Sequence, residues 1–475
     1  MTDPSSAPSM TRGGRTLSVA LALALTVEFA MIGMAMAPSA QAQVTEGQPE
    51  AYHTYDEMKQ DMQALAEEYD AAEFRGVGTS TLDQEIFVVD VAANISDRSE
   101  EELAQLPTLY VDGAHHGNEI LSAEAAYYFL TRVLENATEE GASYLEDKRL
   151  VVNPIVNPDG YTRDQRENTN GVDLNRNYPF HWGLYGTSDQ PFTGNYRGEE
   201  PASETETQTN MELMRDLNLY AYLTGHTGTY DLVLPWSEDQ DGEIPDWPTY
   251  ETWLTNIENE TGLEYRDPSG AGEAHAWAYG NRSAMALLPE VDEEQSAPAS
   301  TEEVEARLNE VLGVYELTWD NLHHLGGALH LEDVNGTSVT VLNDGWGPAY
   351  NLTPLPTPAS NVDEGTADTG ASDNGTGDNA TAKTSVPAPD RQIAPGEEVT
   401  LDLPEGTEEL GYERVTIDGD DPEQKVKTLS FPAPLNASTE TQTDDGGFLS
   451  VPGPGLALLV AVFAALAPAR TRRRP

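Results

Sequence analysis

The sequence predicts a layered α/β protein with a largely buried sheet, followed by a small β-sandwich. Three observations predict it: strands alternate with helical runs, apolar residues recur at helical spacing, and the texture changes near Gly326. In chain order, "AYHTYDEMKQDMQALAEEY" lines up Tyr55, Met58, Met62 and Leu65 along one helical face. "EIFVVDVA" and "PTLYVDGA" read as strands, "ILSAEAAYYFLTRVLENA" as a helix of about five turns, and "RLVVNPIVNPDG" as a strand. A polar, glycine-containing loop covers 158–203, a helix runs from about Ser203 to Leu217, and "LYAYLTGH" is a strand. "TYETWLTNIENETG" is helical, "SAMALLPEV" a strand, and "STEEVEARLNEVLGVYELTWDNLHHL" a long amphipathic helix.

Beyond Gly326 the chain alternates apolar and polar residues, with Asn-Gly and Asn-Asp-Gly turns and no helical period. The expected division is therefore an α/β domain over 43–325 and a β-sandwich over 326–434. A polar, disordered insertion is expected near 362–385 and a linker at 435–447. The two ends carry addresses. Arg12 and Arg15 precede an apolar run ending at Ala40-Gln41-Ala42, the pattern of a secretory signal over 1–42. Residues 448–475 hold an uncharged apolar stretch followed by Arg470, Arg472, Arg473 and Arg474. The length and flanking charge suit a membrane anchor, and the arrangement also resembles C-terminal sorting signals that are replaced by a lipid. The expected location is extracellular, secreted and tethered to the cell surface. Sequons at Asn94, Asn351, Asn374 and Asn379 offer glycan sites on an exported chain.

Acidic side chains outnumber basic ones 82 to 25, for a formal net charge of −57. Such a surface repels phosphate backbones and anionic headgroups, which disfavours nucleic acid as a partner. The acid excess is spread along the chain and lysine is rarer than arginine. That pattern suits a protein of concentrated salt, where repulsion is screened. Cysteine is absent, so disulfides are excluded and a metal site must draw on His, Asp or Glu.

The chemistry concentrates in "PTLYVDGAHHGNEI", residues 107–120. With a strand ending near Asp112 and a helix starting near Glu119, His116 and Glu119 share one face of the intervening turn and can converge on one ion. Alone, this pairing is common, and a polar loop capping a helix is the commoner explanation of it.

The whole stretch resembles the signature of the zinc carboxypeptidases, the metallopeptidase family typified by the pancreatic enzymes. Further landmarks follow in order: "NPDGY" at 157–161, "GVDLNRNY" at 171–178, "YLTGHTGTYDLVLPW" at 222–236, "SGAGEAHAWAYG" at 269–280 and "ALLPEV" at 286–291. The resemblance covers about 50–325 and implies a mixed central sheet flanked by helices. It also implies one Zn²⁺ per catalytic domain, held by His116, Glu119 and His226, with His115 as a neighbour. Glu290 would be the general base, and Arg166 would stabilise the oxyanion, with Arg163 its competitor. Asn175 and Arg176 would hold the terminal carboxylate of a peptide substrate. Tyr265, or else Tyr279, would be the tyrosine that closes over it. His275 stands at the position that sets side-chain preference, implying a polar, aromatic or acidic terminal residue; packing on Trp277 accounts for it equally. Two departures are Asp231, where the pattern has an apolar residue, and Asn118, where pancreatic enzymes carry an arginine.

The reading is a zinc metallocarboxypeptidase acting on peptide C-termini, with no folded activation segment between Ala42 and Tyr52. Two alternatives stand beside it. "HGNE" and "DLNR" also resemble zinc-dependent N-acyl amino-acid deacylases, and a non-catalytic zinc-binding surface or adhesion protein would keep the metal without turnover.

Overall fold

The structure, a computed structural model, describes residues 52–237, 241–292, 300–356, 392–432 and 434–435. The expected signal, the insertion near 362–385, the linker beyond Leu435 and the expected anchor segment lie outside the described residues, whereas Leu435 itself packs in the β-region. Among those described, no helix is long and apolar enough to cross a membrane.

Helix α1 (Tyr55–Glu68) opens with a capping box, in which Thr54 and Glu57 each accept from the other's backbone N–H. Strands β1 (Ala72–Thr79), β2 (Glu85–Ala92), β3 (Thr108–Asp112), β4 (Arg149–Asn153), β5 (Leu219–Thr224), β6 (Leu232–Val233), β7 (Tyr265–Arg266) and β8 (Met285–Pro289) form one sheet. Its order is β1-β2-β4-β3-β5-β8-β6-β7. The centre, β4-β3-β5-β8, is parallel, while β1, β2 and β4 pair antiparallel, as do β6 and β8. The sheet is thus mixed. Every residue of β3, β4, β5 and β8 is buried, as their near-continuous apolar runs require of strands covered on both faces.

The remaining helices are α2 (Glu100–Gln105), α3 (Ile120–Glu140), α4 (Pro158–Thr162), α5 (Thr205–Arg215), α6 (Trp247–Thr261), α7 (Ala274–Arg282) and α8 (Thr301–Asp320). Helix α8 packs against both α3 and α6, whereas α7 packs on α5, β5 and β8. A single core joins these layers, from Met58 on α1 to Trp319 on α8.

Several readings change in the structure, beyond the short elements α2, β6 and β7 that it adds. "RLVVNPIVNPDG" is a strand only to Asn153; its end enters α4, where the Asn157 side chain accepts from Gly160 N. "SGAGEAHAWAYG" contains a helix, α7, that the sequence reading did not assign. Strand β1 was also unassigned: its half-exposed face and Gly76 and Gly78, where the register with β2 shifts, hide the alternation.

The C-terminal region forms two three-stranded sheets. One is β12 (Glu398–Asp402), β10 (Ser338–Asn343), β9 (Leu329–Asn335); the other is β11 (Tyr350–Pro356), β13 (Thr407–Glu413), β14 (Val426–Ser430). Val339 and Val341 of β10 and Val399 and Leu401 of β12 alternate inward to a separate core. Arg414, just past β13, is fully buried and ties this region to the helix-flanked sheet. Its guanidinium donates to the carbonyls of Leu325 (2.8 Å), Ser283 (2.8 Å) and Leu219 (3.3 Å).

Candidate active site and metal centre

The carboxyl ends of β3, β5 and β8 lie side by side, the place where open α/β sheets gather their functional groups. From β3 the chain turns through Gly113–Asn118 into α3. Glu119 occupies the N-cap of α3 but makes no side-chain cap hydrogen bond. Its carboxylate turns away instead. Oε1 lies 2.7 Å from His116 Nδ1, and Oε2 lies 2.9 Å from His226 Nδ1 and accepts from Thr227 N at 3.1 Å. His226 follows β5, where its backbone bridges to Glu290 beyond β8.

The two Nδ1 atoms stand 3.1 Å apart, and ligand atoms of His116, Glu119 and His226 all lie within 4.8 Å of one another. All three residues are buried. Two imidazoles and one carboxylate turned to a common point, drawn from two chain segments, are a donor set that suits zinc with one position left open. The outward nitrogens are held as well. His116 Nε2 lies 2.9 Å from Asp173 Oδ1, and His226 Nε2 is 3.3 Å from the amide of Asn175. Such outer partners fix ring orientation and raise ligand basicity. Burial opposes charge on Glu119, yet the two imidazoles beside it hold its carboxyl well below the usual range.

His115 is separated from this set by its own contacts. It is fully buried, with Nε2 2.9 Å from the Tyr178 hydroxyl and Nδ1 3.3 Å from Thr224 Oγ1. Between the adjacent histidines, the structure turns His116 to the cluster.

Arg166 joins the rim. It donates to Asp173 Oδ2 (2.9 Å) and Glu119 Oε1 (3.2 Å), while its Nε is anchored on the Gly194 carbonyl (2.9 Å). Arg163 turns elsewhere, to the Asp159 carbonyl and Thr169. Asn175 and Arg176 sit in one short turn, both buried. Asn175 Oδ1 accepts from Ala274 N at 2.8 Å, and Arg176 Nη1 pairs with Glu273 Oε1 at 3.0 Å.

Glu290 has one oxygen held and one open. Arg266 Nη2 donates to Oε1 at 3.2 Å, whereas Oε2 is buried with no hydrogen-bond partner among the described residues. Burial first, and then the charge of Glu119, push its carboxyl up to about 7 against the pull of Arg266. His275 is fully buried beneath, with Nε2 3.0 Å from the Leu234 carbonyl; burial pushes it down to about 3, so it is neutral. Tyr265 is not drawn in with these groups. It is 47% exposed, its ring 6.2 Å from Trp247, and its neighbour Arg266 is the residue that reaches Glu290. Tyr279 is fully buried, and its hydroxyl donates to Asp246 at 3.0 Å.

Sequence reasoning missed Asp173, Glu273 and Arg266. The first two sit inside quoted landmarks, but their roles rest on contacts across 57 and 97 residues of chain, to His116 and Arg176 respectively. Arg266 carries no pattern signal.

Fold and site together define a candidate metal centre, built from two histidines and a glutamate at the carboxyl edge of a mixed sheet. Comparison with known proteins narrows the class. The profile of the zinc carboxypeptidases matches residues 58–302, slightly more than half of the chain. The carboxypeptidase B of Astacus astacus is 29% identical over 228 residues, 43% of this chain and 71% of that one. The carboxypeptidase B of Helicoverpa zea is 30% identical over 152 residues, 28% of this chain and 35% of that one. Among solved structures, thrombin activatable fibrinolysis inhibitor aligns over 57% of this chain and 74% of its own, with TM-score 0.49 and 20% identity. The chain belongs to the zinc carboxypeptidase family.

Proposed function

We propose that this protein hydrolyses the C-terminal peptide bond of peptides, with Glu290 as general base and His116, Glu119 and His226 holding zinc. The observation that carries the reading is the convergence of those three ligands beside a carboxylate with one free oxygen. Bound zinc supplies Lewis acidity and lowers the proton affinity of a water. The rest is the chain's own work. Glu290 Oε2 takes the water's proton and returns it to the departing amine. Arg166 donates to the oxygen on which negative charge develops. Arg176, its plane fixed through Nη1 by Glu273, and Asn175 receive the terminal carboxylate.

His275, neutral and hydrogen-bonded to Leu234, supports a preference for polar, aromatic or acidic terminal residues. Hydrolysis confined to C-terminal Lys or Arg would overturn that preference. The acid excess and the two end segments support work outside the cell, tethered to its surface and in concentrated salt. The direct test measures zinc content together with cleavage of blocked dipeptides and N-acetyl amino acids in molar KCl. About one zinc per chain with peptide cleavage is expected. Turnover of N-acetyl amino acids alone would make the protein a deacylase, and zinc without turnover a binding protein.

A further inference from the structure

Asp231 breaks the family pattern at a position where an apolar side chain is expected, and the structure gives it a partner set. Its Oδ2 accepts from Arg266 Nε at 2.9 Å, and its Oδ1 accepts from Thr229 Oγ1 at 2.8 Å. Arg266 Nη2 then reaches Thr229 Oγ1 at 3.3 Å and Glu290 Oε1 at 3.2 Å. The backbone fixes this arrangement. β6 lies between β7 and β8, with Val233 opposite Arg266 and Leu232 opposite Pro289, and Glu290 N donates to the Asp231 carbonyl at 2.9 Å. Three neighbouring strand ends therefore bring Asp231, Arg266 and Glu290 together.

We propose that Asp231 and Arg266 form a clamp that positions Glu290 for proton transfer, holding Oε1 so that Oε2 alone faces the reacting water. The clamp rests on the proposed role of Glu290. Both side chains of the Arg266–Asp231 pair are partly open to solvent, 32% and 22% exposed. An ion pair so placed contributes little to stability, so orientation is what it can supply. The guanidinium fork suits the task, since Nε and Nη2 point along one edge and can be shared between two carboxylates. Gly228 lies beside the oxygen left free. A side chain there would stand 3.6 Å from Oε2, on a backbone with φ of 147° that side chains rarely adopt. Asp231 and Arg266 are positioning residues, acting through Glu290.

The test uses the full chain carrying R266M, R266K, D231N and the double variant R266M/D231N. Each is assayed for kcat, KM and zinc content, with crystal structures of wild type and R266M. Misplacing a proton-transfer group by about 1 Å costs on the order of 100-fold. R266M should accordingly lower kcat about 10- to 100-fold with KM and zinc content nearly unchanged, and R266K should recover part of the loss. D231N should lose less, and the double variant should match R266M, because Asp231 acts only through Arg266. In crystals of R266M the Glu290 carboxylate should rotate while His116, Glu119 and His226 stay in place. An unmoved Glu290, an unchanged kcat, a rise confined to KM, or losses that multiply in the double variant would each overturn the clamp. If wild type cleaves no peptide, the functional reading falls, and the orientation of Glu290 in R266M still decides this inference.

Discussion

Helix α3 carries two buried glutamates near its start, and each meets a histidine. Glu119 Oε1 lies 2.7 Å from His116 Nδ1, and Glu124 Oε2 lies 2.9 Å from His53 Nδ1. In residue type and distance the two pairs are nearly the same. They differ in what is left over. Glu124 also accepts from His53 N at 2.8 Å, and His53 Nε2 is taken by Asp61 at 3.2 Å, so every ring nitrogen has its own carboxylate. At Glu119 the Nδ1 atoms of two rings crowd one carboxylate, while the outer nitrogens are anchored by Asp173 and Asn175. A closed pair is a staple that fastens the segment before α1 to α3. An open set is a ligand set. Convergence separates them, not composition.

That difference can be broken by exchanging the same change between the two clusters. H226Q should reduce zinc from about one per chain to near none and abolish peptide cleavage, whereas H53Q should leave zinc content unchanged. Metal analysis with a peptidase assay on both variants checks this, and zinc loss in H53Q would erase the distinction. Next in size, E290Q should retain zinc yet lose roughly 100- to 10,000-fold in kcat, the usual range for a general base. Activity surviving in E290Q would remove Glu290 from that role. Smaller again, D173N weakens the outer anchor of His116 together with the ion pair to Arg166, so zinc affinity should fall about 10- to 100-fold. Competition with a chelator measures it.

The same contrast explains how much of the molecule could be read from its sequence. His116, Glu119 and His226 were legible because their landmarks occur in order and because the strand ends that carry them are apolar runs. The central strands and α1, α3, α5, α6 and α8 were legible for the same reason: periodicity is a local property. Choosing His116 over His115 rested on register, and only the packing of His115 against Tyr178 gives the physical ground. Asp231 looked like a flaw until Arg266 stood beside it, 35 residues away in sequence. Arg414 reads as an ordinary strand-flanking cation in "YERVTIDG", although it closes the joint between the β-sheets and the catalytic layers through carbonyls about 90 to 195 residues away. Partners so far apart leave no local pattern, and the His53–Glu124 staple, 71 residues apart, is of this kind.

The staple yields the smallest effect and a pH signature of its own. Burial alone would lower the His53 pKa, but hydrogen bonding and charge from Glu124, with Asp61 behind, raise it from 6.5 to about 9. A histidine whose folded value lies above its unfolded one stabilises the fold fully below the unfolded value and loses that contribution as pH rises through the folded one. The stabilisation is therefore complete below about pH 6.5 and fades across pH 6.5–9. The His53 side chain is 20% exposed and Glu124 fully buried, so a charge-assisted bond of roughly 1.5–3 kcal/mol is at stake. Denaturant unfolding of wild type in molar salt should show stability falling over that window. H53Q should start lower by about that amount at pH 6 and run closer to flat. A wild-type profile that is level from pH 6 to 9, or an H53Q profile that keeps the same slope, would mean that the imidazole is not charged in the fold. The pair on α3 would then be a neutral hydrogen bond, distinguished from the His116–Glu119–His226 set by burial and not by closure.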